Sequence, residues 1–273
     1  MCAIAGVSVS GYYKWFKTKD EEEKDYQDYL LIKEIFDKYR GKIGSRRISL
    51  ELKKYMNLKK IQRIMKKYDL RCRIRKANPY RILARKTKEN LSIPNILNRE
   101  FRVESPYTKI TTDITYLPYK HGNVYLSVIK DICTREVLAF KVSSSLEHPL
   151  VLTTIDDLIA YGTLHEVTFS ELLLHSDQGW YYDNATYRDK LKKYDIIQSM
   201  SRKGNCLDNA AMETFFGHLK DEVDFSVYDS IIDIRLRVEE YMEYYNNSRK
   251  QWTLQKMTPV QYRDHLLQAH LEN

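Results

Sequence analysis

Cysteine is scarce in this chain. The 273 residues hold four, Cys2, Cys72, Cys133 and Cys206, and no two of them form a C-x-x-C pair. That spacing supports neither a zinc knuckle nor a disulfide framework, and a reducing compartment is expected. Long apolar runs are absent too: nothing approaches the roughly 18 consecutive apolar residues of a membrane-spanning helix. The opening stretch MCAIAGVSVSGYYKWFKTKD lacks a basic start followed by a long apolar core, so it does not read as a secretory signal. A cytoplasmic protein is the expectation. No internal repeat is visible. The 22 tyrosines are too dispersed to imply a tyrosine nucleophile, which needs a surrounding cluster of Arg and His.

Acidic residues run short at one end only. Residues 1–100 carry 26 Lys and Arg against 12 Asp and Glu, a balance of +14; residues 101–273 carry 19 against 25, a balance of −6. Their sum is the net charge of +8. A basic arm joined to a slightly acidic body suits an arm that binds a polyanion and a body with another task, although a solvated lysine-rich surface has the same balance.

The basic arm has helical periodicity. Residues 22–40 place Tyr29, Ile32, Ile35, Phe36 and Tyr39 on one stripe, and Gly41 and Gly44 break it. Helical spacing resumes over 45–56 through Ile48, Leu52 and Met56. Asn57 then reads as an N-cap for a third helix. Leu58, Ile61, Ile64, Met65 and Tyr68 fall on one face of that helix, and Lys59, Lys60, Arg63, Lys66 and Lys67 on the other. Short helices, tight turns and a basic outer face are the ingredients of a helix-turn-helix-like DNA module. Arg46, Arg47, Lys59, Lys60 and Arg63 are its candidate DNA contacts; a small helical bundle kept soluble by its lysines is the alternative. Residues 71–90 follow with eight basic residues and one acid, a composition suited to lying along a phosphate backbone.

Beyond residue 105 the pattern changes. Segments 109–119, 122–133 and 135–144 are rich in Val, Ile, Thr, Tyr and Phe and read as three consecutive antiparallel strands. A helix over 147–162 follows, with Pro149 in its first turn. Next come a strand ending at Asp177, a helix near 184–193, a strand over 195–200, and helices over 208–222 and 230–247. That order describes an α/β fold: a ribonuclease H-like mixed five-stranded sheet flanked by helices, preceded by a small all-α helix-turn-helix-like domain. The expected boundaries are 1–70 for the helical DNA-binding region, 71–105 for a basic linker, 106–225 for the catalytic core and 226–273 for a C-terminal helical extension.

Such a sheet would bring three acids together: Asp113 within the first strand, Asp177 at the tip of the fourth, and Glu213 on the helix over 208–222. On that helix Met212, Phe215 or Phe216, Leu219 and Val223 form the apolar stripe. Asn209, Glu213, Gly217 and Lys220 line a neighbouring stripe. Gly217 costs about 1 kcal/mol of helix propensity relative to Ala, a cost that makes sense where a DNA backbone must come close. Three carboxylates in one site repel unless a cation joins them. Oxygen-only donors favour Mg²⁺ or Mn²⁺, and two such ions roughly 4 Å apart serve phosphoryl transfer without a covalent protein nucleophile. Taken singly, each acid is more ordinarily a helix cap or a surface charge.

The motifs TDIT (112–115), HSDQG (175–179) and QSMSRKGNCLDNAAMETFFGHLK (198–220) closely resemble the integrase-core subunit of two-reading-frame bacterial insertion-sequence transposases, within the retroviral-integrase-like DDE superfamily. Residues 6–15 and 245–259 resemble that family's opening and closing motifs. The resemblance implies that Asp113, Asp177 and Glu213 ligate catalytic Mg²⁺ or Mn²⁺, two ions per site, and that Lys220 contacts DNA near the reacting phosphate. The family's usual Trp ahead of the first acid is replaced here by Tyr107. It further implies terminal inverted repeats and target DNA as partners, a homo-oligomer on DNA, and an upstream reading frame that supplies a partner or a fused segment. Arg202 and Lys203 are candidate grips on the substrate strand. His175 is a candidate support for the site or a packed strand-end histidine, and Trp180, Tyr181 and Tyr182 either stack on bases or seal the core. The resulting expectation is a DDE transposase that cuts element ends and joins the freed 3′-hydroxyl to new DNA. The alternatives are a transposase-derived DNA-binding regulator without catalysis and a ribonuclease H-like nuclease.

Overall fold

The structure, a computed structural model, describes residues 6–18, 25–72, 93–169, 171–202 and 209–271. It divides into two compact units, 1–73 and 74–273.

The first unit contains α1 (Val9–Thr18), α2 (Tyr26–Lys38), α3 (Ser45–Glu51) and α4 (Leu58–Lys67). The last three pack around Ile32, Phe36, Ile48, Ile61, Ile64 and Met65, the residues whose 3.6-residue spacing marked the buried stripe. Helix α2 ends where Arg40 and Gly41 take left-handed φ values of 52° and 72°, the conformation that glycine adopts without strain. Asn57 caps α4, its side chain accepting from the Lys59 N–H at 2.9 Å. One boundary and one element depart from the sequence reading most clearly. α3 stops at Glu51 rather than 56 because Leu52 turns extended, with φ −66° and ψ 124°; Met56 still reaches the core from the connection. α1 was not read as a helix at all.

The second unit is built on β1 (Lys109–Tyr119), β2 (Gly122–Asp131), β3 (Val137–Ser143), β4 (Leu173–Ser176) and β5 (Ile197–Met200), in the spatial order β3-β2-β1-β4-β5. β1, β2 and β3 form an antiparallel meander, while β4 and β5 run parallel to β1. The parallel steps require crossovers, and α5 (His148–Leu164) and α6 (Ala185–Lys193) provide them. The sheet is closed by α7 (Ala210–Glu222), α8 (Ile231–Asn247) and α9 (Pro259–Leu271).

Period-two alternation sends apolar residues to both faces of the sheet, which makes two cores. In one, Ile110, Ile129, Leu172 and Leu174 meet Val151, Ile155 and Leu158 of α5 and Tyr187 and Leu191 of α6. In the other, Leu117, Val124, Leu126 and Val128 meet Met212, Phe215, Phe216 and Leu219 of α7 and Ile234, Val238 and Tyr241 of α8. Each fully buried Leu or Phe in these layers contributes roughly 1.5–3 kcal/mol. α8 therefore shares the second core with α7. Ile93 and Leu97 likewise bury against this unit, ahead of the first strand. No helix among the described residues is long and apolar enough to cross a membrane.

Candidate active site at the strand tips

The parallel register of β1 and β4 builds the site. Thr111 pairs with His175, so Asp113 and Asp177, each two residues further on, continue onto the same side of neighbouring strands. The strand leading to Asp177 is buried throughout: Leu172 and Leu174 are fully covered and Leu173 nearly so. This fixes the backbone immediately before Asp177. The chain then leaves the sheet through Gly179, whose N–H donates to Asp177 Oδ1 at 2.9 Å. A Cβ on Gly179 would lie 2.4 Å from the Tyr181 ring, so a larger residue here would displace that ring.

Both acids are half-buried, and the site pushes both toward protonation. Burial raises the Asp113 carboxyl first and the charge of Asp177 second, to about 7; burial also raises Asp177. Opposing this, the Ile114 N–H and the Asn209 amide donate to the two Asp113 oxygens, both at 2.8 Å, and the Lys220 ammonium favours the ionised form. Asn209 stands at the N-cap position of α7 but makes no capping bond. Its amide is committed to Asp113 and its carbonyl oxygen accepts from Thr111 Oγ1 at 3.3 Å. Lys220 lies over the exposed Tyr116 ring, 4.3 Å from the centroid.

Asp113, Asp177, Asn209 and Lys220 thus share one electrostatic site. Glu213 is half-buried in the first turn of α7, four residues beyond Asn209 and on the same helical face. Among the described residues, however, no three His, Cys, Asp or Glu side chains approach closely enough to hold a metal ion. Gly217 is open: a Cβ there would meet nothing within 4 Å.

The surrounding candidates separate by burial. His175 is fully buried, with Nδ1 2.9 Å from Ser199 Oγ. That hydroxyl oxygen accepts from the N–H groups of Ile96 and Leu97 at 2.9 and 3.1 Å, which leaves its own proton for His175 Nδ1. The histidine therefore ties β4 to β5 and to the chain at 96–97. Tyr182 is also fully buried, whereas Trp180 is 55% exposed and sets its ring edge-on to His148. The aromatic cluster accordingly seals the core through Tyr182 and leaves Trp180 as its open member. Tyr107 shares a hydroxyl contact of 3.1 Å with Tyr161, and its N–H donates to Asp131. Arg202 is half-buried, and Lys203 lies outside the described residues.

In the first unit, Arg46 and Lys59 are exposed. Lys60 and Arg63 are bound to acids of the α2 segment: Lys60 to Asp28 at 2.5 Å, and Arg63 to both oxygens of Asp25 at 2.7 and 2.8 Å. Arg47 packs over Tyr39, 5.2 Å from the ring, with Glu51 at 3.6 Å. Reading cations along one helix missed these pairings because Asp25 and Asp28 lie some 30 residues earlier. Their signal was the two acids three residues apart at the start of α2.

Family models agree with this layout. One described as an integrase core domain matches residues 103–206, another of the same description matches 213–267, and an HTH-like domain matches 22–78. The chain is 35% identical over 264 residues to the "Putative transposase InsK for insertion sequence element IS150" of Escherichia coli (strain K12), covering 95% of this chain and 91% of that one. It is 31% identical to the "Insertion element IS600 uncharacterized 31 kDa protein" of Shigella sonnei, over 97% of each chain. It is 28% identical to the E. coli K12 "Transposase InsF for insertion sequence IS3A", over 96% of this chain and 92% of that one. Among solved structures, a chain of the simian T-cell lymphotropic virus intasome in complex with PP2A regulatory subunit B56 gamma superposes with a TM-score of 0.50 at 16% identity. That match covers 85% of this chain and 74% of the other and reflects a shared fold.

Proposed function

Because the chain belongs to the insertion-sequence transposases that carry an integrase core, we propose that it cuts the ends of its own element in a metal-dependent reaction and joins the freed 3′-hydroxyl to target DNA. The observation that carries this reading is the parallel register of β1 and β4, which sets Asp113 within β1 beside Asp177 just past the end of β4, with Asp177 raising the proton affinity of Asp113.

Two half-buried carboxylates held that way are frustrated as a bare pair and suited to a shared cation. With Asn209 beside them the donor set is oxygen and amide, without His or Cys, which fits a hard divalent ion such as Mg²⁺ or Mn²⁺. Asp113 and Asp177 would hold it, with Glu213 the third acid from the neighbouring helix. When bound, such ions supply positive charge to the attacking and leaving oxygens of an in-line displacement.

The protein's own groups position the DNA. Lys220 offers its ammonium to a phosphate beside Asp113, and Gly217 leaves the helix surface bare where a strand approaches. Trp180 is the aromatic available for stacking on an unpaired base. The N-terminal unit, through Arg46 and Lys59, and the basic segment 71–105 bind the element's inverted repeats, with affinity that falls as salt rises. Pairing two ends calls for two or more copies on DNA.

The test is incubation of the protein with labelled element ends in Mg²⁺ or Mn²⁺. Cleavage and joining are expected. Binding without chemistry would make the protein a DNA-binding regulator, and chemistry that survives Asp177→Ala would overturn the assignment of that residue.

A further inference from the structure

A cavity of about 270 Å³ opens on a different face of α7 from Glu213, lined among others by Lys130, Arg135, Thr214, Phe215, His218 and Gln251. Its charge is unusual. Lys130 is 4% exposed in the middle of the second core, yet among the described residues its ammonium makes one hydrogen bond, to the Ala211 carbonyl at 3.0 Å, and otherwise lies over the Phe215 ring at 5.4 Å. Among the described residues Arg135 reaches the Gln251 Oε1, at 3.3 Å. No carboxylate belongs to the described lining. The nearby acids are engaged: Asp131 accepts from the N–H groups of Tyr107 and Thr134, and Glu222 holds Arg249.

Buried cations are normally paired, because desolvation without a partner is costly. Here burial opposes the charged form of Lys130 most, and Arg135 and Arg249 repel it further, against the attraction of Asp131. The Gln251 amide nitrogen adds a second, independent sign. Gln251 is 8% exposed, and this nitrogen sits beside the Tyr245 hydroxyl without completing a hydrogen bond of normal geometry. One amine, one guanidinium and one amide N–H therefore converge on a cavity larger than a tetrahedral oxyanion, with donors in excess of the acceptors among the described residues; the Thr214 hydroxyl is already committed to the Ala210 carbonyl at 2.7 Å.

We infer that this cavity is a binding site for a phosphate group, separate from the acidic site and seated against the helix that carries Glu213. A phosphate supplies the missing acceptors: it takes charge-assisted hydrogen bonds from Lys130 and Arg135 and one from the Gln251 amide, and it relieves the repulsion between the cations. The inference stands on these residues and does not rest on the catalytic reading.

Inorganic phosphate is the probe, compared with chloride at matched ionic strength by titration calorimetry and thermal shift on the full chain. Wild-type protein is expected to bind phosphate and to melt higher with it. Lys130→Met, which keeps an unbranched apolar side chain over Phe215, is expected to weaken binding at least about tenfold. Gln251→Leu serves as the second variant should the first fail to fold, and it is expected to weaken binding several-fold. A short duplex DNA distinguishes the sources: displacement of phosphate by duplex makes the occupant a backbone phosphodiester, and binding of both together makes it a free phosphate. Absence of phosphate binding by the wild type, or binding that survives in both variants, would overturn the inference.

Discussion

Replacing Asp113 by Asn removes one of two facing carboxylates while keeping its shape, and the structure sets the size of the effect. The carboxyl is raised from 3.8 to about 7, so at pH 8 the folded protein carries an ionised group that the fold disfavours. About three pKa units correspond to roughly 4 kcal/mol. Partial exposure, and the turn of the Asn209 amide needed to face a new amide, reduce this to about 2 kcal/mol. A folded pKa above the unfolded one gives stability that is complete below pH 3.8 and lost as pH rises through about 7. Without divalent metal the wild type should therefore lose stability between pH 5 and pH 8, and Asp113→Asn should lose less. For a unit of this size, about 2 kcal/mol raises Tm by roughly 4–8 °C. Scanning calorimetry in EDTA at both pH values reads the gap: fully open at pH 8 and narrowed to less than about half at pH 5. Equal melting at pH 8, or a gap of the same size at both pH values, would refute the reasoning.

Other substitutions probe separate parts of the account. Gly217→Ala meets open space, so it should stabilise α7 by about 1 kcal/mol while lowering DNA cleavage, and unchanged cleavage would show that no strand passes there. Glu222→Ala leaves the Arg249 guanidinium buried without its partner and should cost about 3–5 kcal/mol in denaturant unfolding. Asp28→Ala frees Lys54 and Lys60 and should cost the N-terminal unit up to about 1 kcal/mol, less at high salt. Those two lysines hold the Asp28 carboxyl below its usual range, so this contribution is present at neutral pH and fades as pH falls through the depressed value.

The sheet was legible because its strands are long in β-branched and aromatic residues and its helices keep strict apolar stripes. β1 was read to its observed ends, and every residue assigned to the stripe of the helix over 208–222 is buried in the second core. Short elements were blurred at their ends: β4 spans Leu173–Ser176 and leaves Asp177 just beyond the strand, a distinction set by hydrogen bonding to β5 rather than by local pattern. α1 escaped notice because its apolar residues Val9, Tyr13 and Phe16 remain exposed and give no buried stripe to recognise. Of the three acids expected to meet, Asp113 and Asp177 do lie side by side, and the groups that support them were only partly legible. Asn209 was a candidate by its place on the Glu213 face, whereas its hold on Asp113 spans 96 residues of chain and follows from tertiary packing alone. The buried Lys130 was hidden for the same reason, since an alternating strand gives no sign that one of its polar positions lies beneath a helix.

The central claim is that Asp113, Asp177 and Glu213 act together on DNA. Single-turnover cleavage of a labelled element end in Mg²⁺, with Asp113→Asn, Asp177→Asn and Glu213→Gln measured beside a filter-binding assay, tests it most directly. Each variant should lose at least a hundredfold in rate while binding the end as tightly as the wild type does. Cleavage within a few-fold of wild type in any one of the three would contradict the account.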